Sequence, residues 1–258
     1  MFTPPAYLSP SSINTFVQCP LKFKINKFDN IKEPPSWATH LGSFTHEVLE
    51  HLYQLDPDDR TVENLKTLAA DVWASSEWEQ QVLSLAEPQG DIKQFKIAAF
   101  KNMTNLWQLE DPSETELDGM EEDVDAVIDG VAMKGRIDRY IVADDGSLII
   151  SDYKTGKVPN PKFNDENKQF FQLLAYAAML KESAQLETSQ LELLYLTAST
   201  KHTLAVTPVK LDTARRLIVD TKTSLDSACD SGEFTANVSK LCDWCHFKKI
   251  NVCPAHKK

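Results

Sequence analysis

The sequence predicts an α/β fold: a mixed central β-sheet flanked by helices, with an N-terminal helical lobe and a C-terminal cysteine-rich, metal-binding tail. Three observations predict it. Apolar residues recur at helical spacing as far as about residue 112. An alternating, β-branched stretch cut by Asp-Gly turns follows, and three of the five cysteines fall in the last seventeen residues. The 258 residues are expected to form one domain, 1–258, with a mostly helical lobe (1–112), a sheet-containing core (113–230) and the tail (231–258).

Taken in order, "LSPSSINTFVQC" reads as a helix capped by Ser9, Ser11 or Ser12, with Ile13, Phe16 and Val17 on one face. Pro20 suits the first position of a second short helix, "PLKFKINKF". "ATHLGSFTHEVLEHLYQL" is helical, and residues 61–86 and 91–109 form further helical patterns capped by Thr61 and Asp91. The period then changes. In "EDVDAVIDGVAMKGRIDRYIVADDGSLIISDYK", turns at Asp129-Gly130 and Asp144-Asp145-Gly146 give three antiparallel strands. A helix at about 165–183, strands "LELLYLTA" and "TLAVTPVK", and a helix at about 212–229 precede the tail.

Side chains alternate faces along a strand, so Asp152 and Lys154 of "SDYKTGK" share a side, about 7 Å apart. A three-residue loop, Asp144-Asp145-Gly146, places Asp138 of "GRIDR" directly opposite Asp152. A two-residue loop would slip Asp138 to the other face. Gly at the last loop position favours the longer turn. Two facing carboxylates repel unless a cation lies between them, and Mg²⁺ suits a site of few carboxylates completed by water and phosphate. Lys154 beside such a metal would orient an attacking water and stabilise charge on a phosphate.

"GRIDRY", then "IISDYKTGK", then "QFFQLLAYAAML" resembles the RecB-type branch of the PD-(D/E)XK nuclease superfamily, and "LGSFTHEVLE" is similar to that branch's upstream histidine segment. The likeness runs in the family's order from residue 8 to 253. It implies a restriction-endonuclease-like core in a single nuclease domain. It further implies a metal site for Mg²⁺ or Mn²⁺ at His46, Asp138, Asp152 and Tyr153, and catalytic roles for Asp138, Asp152, Lys154, Gln172 and Tyr176. Gln172 and Tyr176 stand one turn apart on one helix face. For the acid the family carries at the head of the sheet, Glu122 and Glu121 are the candidates.

The tail, "CDWCHFKKINVC", is C-x2-C-x7-C, and His256 would complete a Cys₃His zinc site. "LSPSSINTFVQCPLKFK" is similar to the N-terminal segment of the iron–sulfur exonucleases of AddB and CRISPR-adaptation type. That resemblance implies a [4Fe-4S] cluster on Cys19, Cys242, Cys245 and Cys253, stapling the first helix to the tail. Cys229 lies on a helix face and is expected to be structural.

Net charge is −11, which argues against a broad nucleic-acid-coating surface but allows a confined basic passage. Lys22, Lys157, Lys248 and Lys249 are the candidate DNA contacts, with Lys257 and Lys258 among the tail's other lysines. No apolar run approaches the ~20 residues of a membrane span, and the start shows no secretory pattern, so a cytoplasmic site is expected. No G-x-x-x-x-G-K-[ST] occurs, so any motor would be a separate helicase, recombination or CRISPR-adaptation protein. The resemblance implies a metal-dependent exonuclease on single-stranded or free-ended DNA, with 5′ polarity. The rival expectations are a non-catalytic DNA-end or partner-binding module of the same fold, and a zinc-stabilised interaction protein.

Overall fold

A computed structural model describes residues 1–85, 89–160, 162 and 165–256; Lys257, Lys258 and residue 86 of the 61–86 helical pattern lie outside the described residues. Helix α1 (Pro10–Gln18) starts on a reciprocal cap in which Ser9 and Ser12 each accept from the other's backbone. Pro20 opens α2 (Pro20–Lys27), and Ser36 with Thr39 caps α3 (Trp37–Tyr53) in the same way. The pattern at 61–86 is two helices, α4 (Val62–Ser75) and α5 (Trp78–Leu83). Glu77 takes a left-handed backbone (φ 53°) between them, which turns Trp78 inward to donate to Glu47 at 2.8 Å. Asp91 and Gln94 cap α6 (Ile92–Thr104).

Strands β1 (Gly119–Ile128), β2 (Val131–Val142) and β3 (Leu148–Lys154) run antiparallel in sequence order. Asp129 and Gly130 both have positive φ, as a two-residue hairpin turn requires. At the second hairpin the Ala143 N–H donates to Ser147 O at 2.8 Å and the Gly146 N–H to Ala143 O at 2.8 Å, with Gly146 at φ +79°. This is the three-residue loop, and Arg139 pairs with Ser151.

Short α7 (Glu166–Gln169) and α8 (Phe171–Ala184) replace the single helix expected at 165–183, broken where buried Phe170 leaves helical geometry. Strand β4 (Thr188–Tyr195) then runs parallel to β3, and β5 (Thr200–Ala205) antiparallel to β4. The expected strand at 203–210 stops short, because Thr207 caps and Pro208 opens α9 (Pro208–Ser231). A final short helix is α10 (His246–Lys249). The result is a mixed five-stranded sheet, β1-β2-β3-β4-β5, flanked by helices.

Helix α8 is apolar nearly all round and buried over residues 171–179, as a helix inside a core should be, and its last turn, 181–184, is exposed. It packs with Phe16, Ile150, Leu193 and Ile218 in one apolar cluster. A second cluster fills the helical lobe around Phe44, Val48, Trp73 and Phe95, and reaches Tyr153 and Leu194 of the sheet. The end of β3 therefore lies at the seam of two cores. Leu21, Ile25 and Phe247 form a third, smaller cluster joining α2 to the tail.

Candidate active site and metal centre

Asp138 and Asp152 stand one position beyond the last paired residues of the β2–β3 ladder, on facing positions. His46 comes from α3, brought over β3 where Gly42 leaves room for Thr155; a Cβ at Gly42 would lie 3.3 Å from Thr155 Oγ1. His46 Nε2 is 2.9 Å from the Tyr153 carbonyl, and Nδ1 is 3.4 Å from Asp138 Oδ2. With Nε2–H donating to that carbonyl, the Nδ1 lone pair faces the carboxylates. This is the tautomer a metal ligand needs, held by the backbone contact that such ligands commonly have. One donor atom each from His46, Asp138 and Asp152 lie within 4.8 Å of one another, the only such group of three among the described residues.

Lys154 Nζ contacts Asp152 Oδ2 as an ion pair. Even so, Asp152 Oδ2 and Asp138 Oδ2 are buried without a hydrogen bond of acceptable geometry. Burial, the Asp152 charge and the hydrogen bond that a protonated Asp138 can donate to the Asp152 carboxylate push the Asp138 carboxyl well above its ordinary range, against the pull of Lys154. Buried, repelling, under-satisfied carboxylate oxygens beside an imidazole lone pair form a donor set that fits Mg²⁺ or Mn²⁺.

Glu121 falls across from Asp138 on β1, between the pairs Met120–Arg139 and Glu122–Ile137, and takes φ +48°. Its carboxyl is raised by burial, with the nearby charges of Glu50 and Asp152 adding to that and His46 and Arg136 opposing. Glu122 faces elsewhere: its carboxylate accepts from the Tyr140 hydroxyl at 3.0 Å at the surface. Of the two candidate acids, Glu121 lies beside the carboxylates and Glu122 does not. Tyr153 reaches the site through its backbone alone. Its phenol is buried on the opposite side, accepting from Arg139 at 2.7 Å, and its carbonyl is the His46 partner.

Gln172 donates to the Tyr176 hydroxyl at 3.2 Å. The Tyr176 ring lies over Gly135, where a Cβ would come within 2.4 Å of it. Burial raises the Tyr176 hydroxyl, Gln172 lowers it, and the Asp138 and Asp152 charges are felt there. The α8 pair thus borders the carboxylates. The family model for the PD-(D/E)XK nuclease superfamily matches residues 7–254.

The chain belongs to that superfamily.

No curated protein matches the sequence. Among solved structures, a "putative exonuclease" from Eubacterium rectale shares the fold, with TM-score 0.59 at 14% identity over 93% of this chain and 87% of its own. A second, SSO0001, aligns over 100% of this chain and 90% of its own at 14% identity, with TM-score 0.46.

Outside the carboxylate site, this nuclease-superfamily chain gathers Cys19, Cys242, Cys245, Cys253 and His256 around one cavity of about 210 Å³ between α2 and the tail. The His256 Nε2 there is buried without a partner. The four thiols are half-buried, whereas Cys229 is fully buried in the first core. Lys22 and Lys248 line the same cavity, paired with Glu33 and Asp243 at 2.9 Å each. Exposed Lys249 follows Lys248, and Lys157 is exposed in the loop after β3.

Several neighbours of the site had no local sequence signal. Glu50 lies one turn after His46 and bears on Glu121. Tyr195 pairs with Lys154 across β3–β4, and its hydroxyl accepts from Gln169 at 2.9 Å. Behind β3, Arg139 forms a two-pronged ion pair with Glu110 at 2.5 and 2.6 Å, joined by the hydroxyls of Tyr53 and Tyr153.

Proposed function

We propose that this chain is a divalent-metal-dependent deoxyribonuclease, an exonuclease acting on single-stranded or free-ended DNA, with 5′-to-3′ polarity. The observation that carries the reading is the triplet His46–Asp138–Asp152 with Lys154 in contact. His46, Asp138 and Asp152 hold the metal, Glu121 adds an acid beside them, and His46 is oriented by the Tyr153 carbonyl. Bound there, Mg²⁺ or Mn²⁺ supplies Lewis-acid activation of the phosphoryl group and of a water. Lys154, one-third exposed, orients the attacking water and meets the charge that grows on the phosphate. Gln172 and Tyr176 line the scissile position and brace that corner of the site. The net charge of −11 suits a strand threaded through a confined passage, with Lys157, Lys22 of α2 and the tail's Lys248 and Lys249 along it.

The cysteine cavity carries a [4Fe-4S] cluster on Cys19, Cys242, Cys245 and Cys253 in this reading. What supports a metal group there is that the four thiols and His256 line one cavity between α2 and the tail; zinc on Cys242, Cys245, Cys253 and His256 is the alternative occupant. The cluster would lock α2 to the tail. The enzyme would serve DNA repair, recombination, or phage or CRISPR DNA processing, with any ATP-driven unwinding supplied by a separate protein. No helix among the described residues is long and apolar enough to cross a membrane. Oligonucleotides labelled at the 5′ or 3′ end, single- or double-stranded, incubated with Mg²⁺, Mn²⁺ or EDTA, test the proposal. Short products released from the 5′ end of single strands with metal alone are expected. Intact DNA with every metal would overturn it.

A further inference from the structure

The sheet extends the metal face further than the nuclease motifs do. Asp152 pairs with Leu193 on β4, and Leu193 with His202 on β5; Lys154 pairs with Tyr195. Paired residues share a face, so Asp152, Lys154, Tyr195 and His202 lie on one face of three strands, in two neighbouring rows, Asp152–Leu193–His202 and Lys154–Tyr195. His202 lies two strand spacings, about 10 Å, from Asp152. That is too far for the phosphate at the carboxylates and suits a neighbouring one.

Gln169, at the end of α7, ties the outer ends of the two rows together. Its side-chain nitrogen is 2.9 Å from the Tyr195 hydroxyl and 2.8 Å from His202 Nδ1, and the two rings pack at 5.1 Å. Donating one hydrogen to each spends both hydrogens of the amide. It also fixes His202 as the tautomer with its proton on Nε2. The Tyr195 hydroxyl hydrogen and the His202 Nε2–H have no acceptor among the described residues. The charges of Lys154 and Asp152 both reach the Tyr195 hydroxyl. What the two rows offer beyond the carboxylates is therefore a lysine and two unspent donors on one face, complementary to anionic oxygens.

We infer that Tyr195 and His202, held by Gln169, form a second phosphate subsite that binds the phosphodiester adjoining the one at the metal. This rests on the nuclease reading and names how its substrate is held: by two successive backbone phosphates, independent of base. The enzyme then requires a polynucleotide and gains little on a lone phosphodiester.

The test compares wild type, His202→Ala and Tyr195→Phe on oligo-dT, oligo-dA and bis(p-nitrophenyl) phosphate, which carries one phosphodiester only. Tyr195→Phe removes one hydroxyl and His202 is half-buried, so each variant orphans one Gln169 hydrogen and both are expected to fold, with melts at most a few degrees below wild type. Both should raise KM on the two oligonucleotides about 5- to 20-fold by equal factors, with kcat within about twofold. Turnover of bis(p-nitrophenyl) phosphate should be unchanged. His202→Gln, which keeps a donor, should recover part of the loss. Unchanged oligonucleotide KM, a loss confined to one base, or equal losses on the single phosphodiester would each overturn the subsite while leaving the nuclease reading intact. A wild type inert on every substrate would instead remove the nuclease reading, and the subsite with it.

Discussion

Replacing Asp138 with asparagine should make the metal-free protein more stable while removing its activity. Asp138 and Asp152 place carboxylate oxygens within 4.8 Å, with Asp152 almost wholly buried. At an effective dielectric of 20, two full charges at that distance repel by about 3.5 kcal/mol. Lys154 offsets part of this, and Asp138 can escape more of it by holding a proton. The expected net gain for Asp138→Asn in EDTA is about 1–2 kcal/mol, roughly 2–6 °C in melting temperature for a chain of this size. The sign with pH follows from the raised Asp138 carboxyl. A group whose folded pKa lies above its unfolded value favours the fold below the unfolded value and loses that contribution as pH rises through the folded one. The advantage of the asparagine should thus be small in acid, where Asp138 is already neutral, and grow as pH rises. In excess Mn²⁺ the order should close or reverse, because wild type at 100 times its Kd gains about 2.7 kcal/mol that a weakened site does not. Thermal melts at several pH values, with EDTA and with Mn²⁺, decide it. An asparagine variant less stable than wild type in EDTA at neutral pH, or stabilised equally by Mn²⁺, would refute the reasoning.

Glu110→Gln should cost about 3–5 kcal/mol by leaving Arg139 buried without its counter-charge, read by urea unfolding. Burial alone would raise the Glu110 carboxyl, but the hydrogen bond and charge of Arg139 outweigh it and bring it below its ordinary value of 4.5. Stability from this pair should therefore be complete above about pH 4.5, fall as the pH drops through the lower folded value, and show no such acid loss in Glu110→Gln. Gly135→Ala should push the Tyr176 ring off β2, costing about 1–3 kcal/mol and lowering cleavage at least tenfold; a melt and a nuclease assay on one preparation check both. Cys19→Ser in anaerobically purified protein should abolish visible iron–sulfur absorbance and loosen the tail to proteolysis, with the His46–Asp138–Asp152 group intact. A colourless wild type with one zinc, unchanged by Cys19→Ser, would move the fourth ligand to His256.

The facing carboxylates were legible because their placement depends on short-range rules. Gly146 at the last loop position selects the three-residue turn, the turn sets the register, and the register puts Asp138 opposite Asp152. Helix starts at Ser9-Pro10 and Asp91 were legible for the same reason: a side chain caps its own neighbours. What failed depends on the assembled fold. Glu77 breaks the helix because Trp78 has a buried place to fill, and no pattern in 61–86 announces it. The choice between Glu121 and Glu122 turns on one left-handed residue in β1. Arg139 carries no local signal in "GRIDR", because its partner Glu110 stands 29 residues away in the chain. Tyr195 and His202 carry no motif, and only the order β3-β4-β5 aligns Tyr195 with Lys154 and His202 with Asp152.

The most direct test is single-turnover cleavage of 5′-labelled single-stranded DNA with Mn²⁺ by wild type, Asp152→Ala and Lys154→Ala, each checked for folding by its melt. Metal-dependent cleavage by wild type that falls by at least a hundredfold in both variants is the predicted result. Cleavage that survives in either variant, or in EDTA, would contradict a site built on Asp138, Asp152 and Lys154.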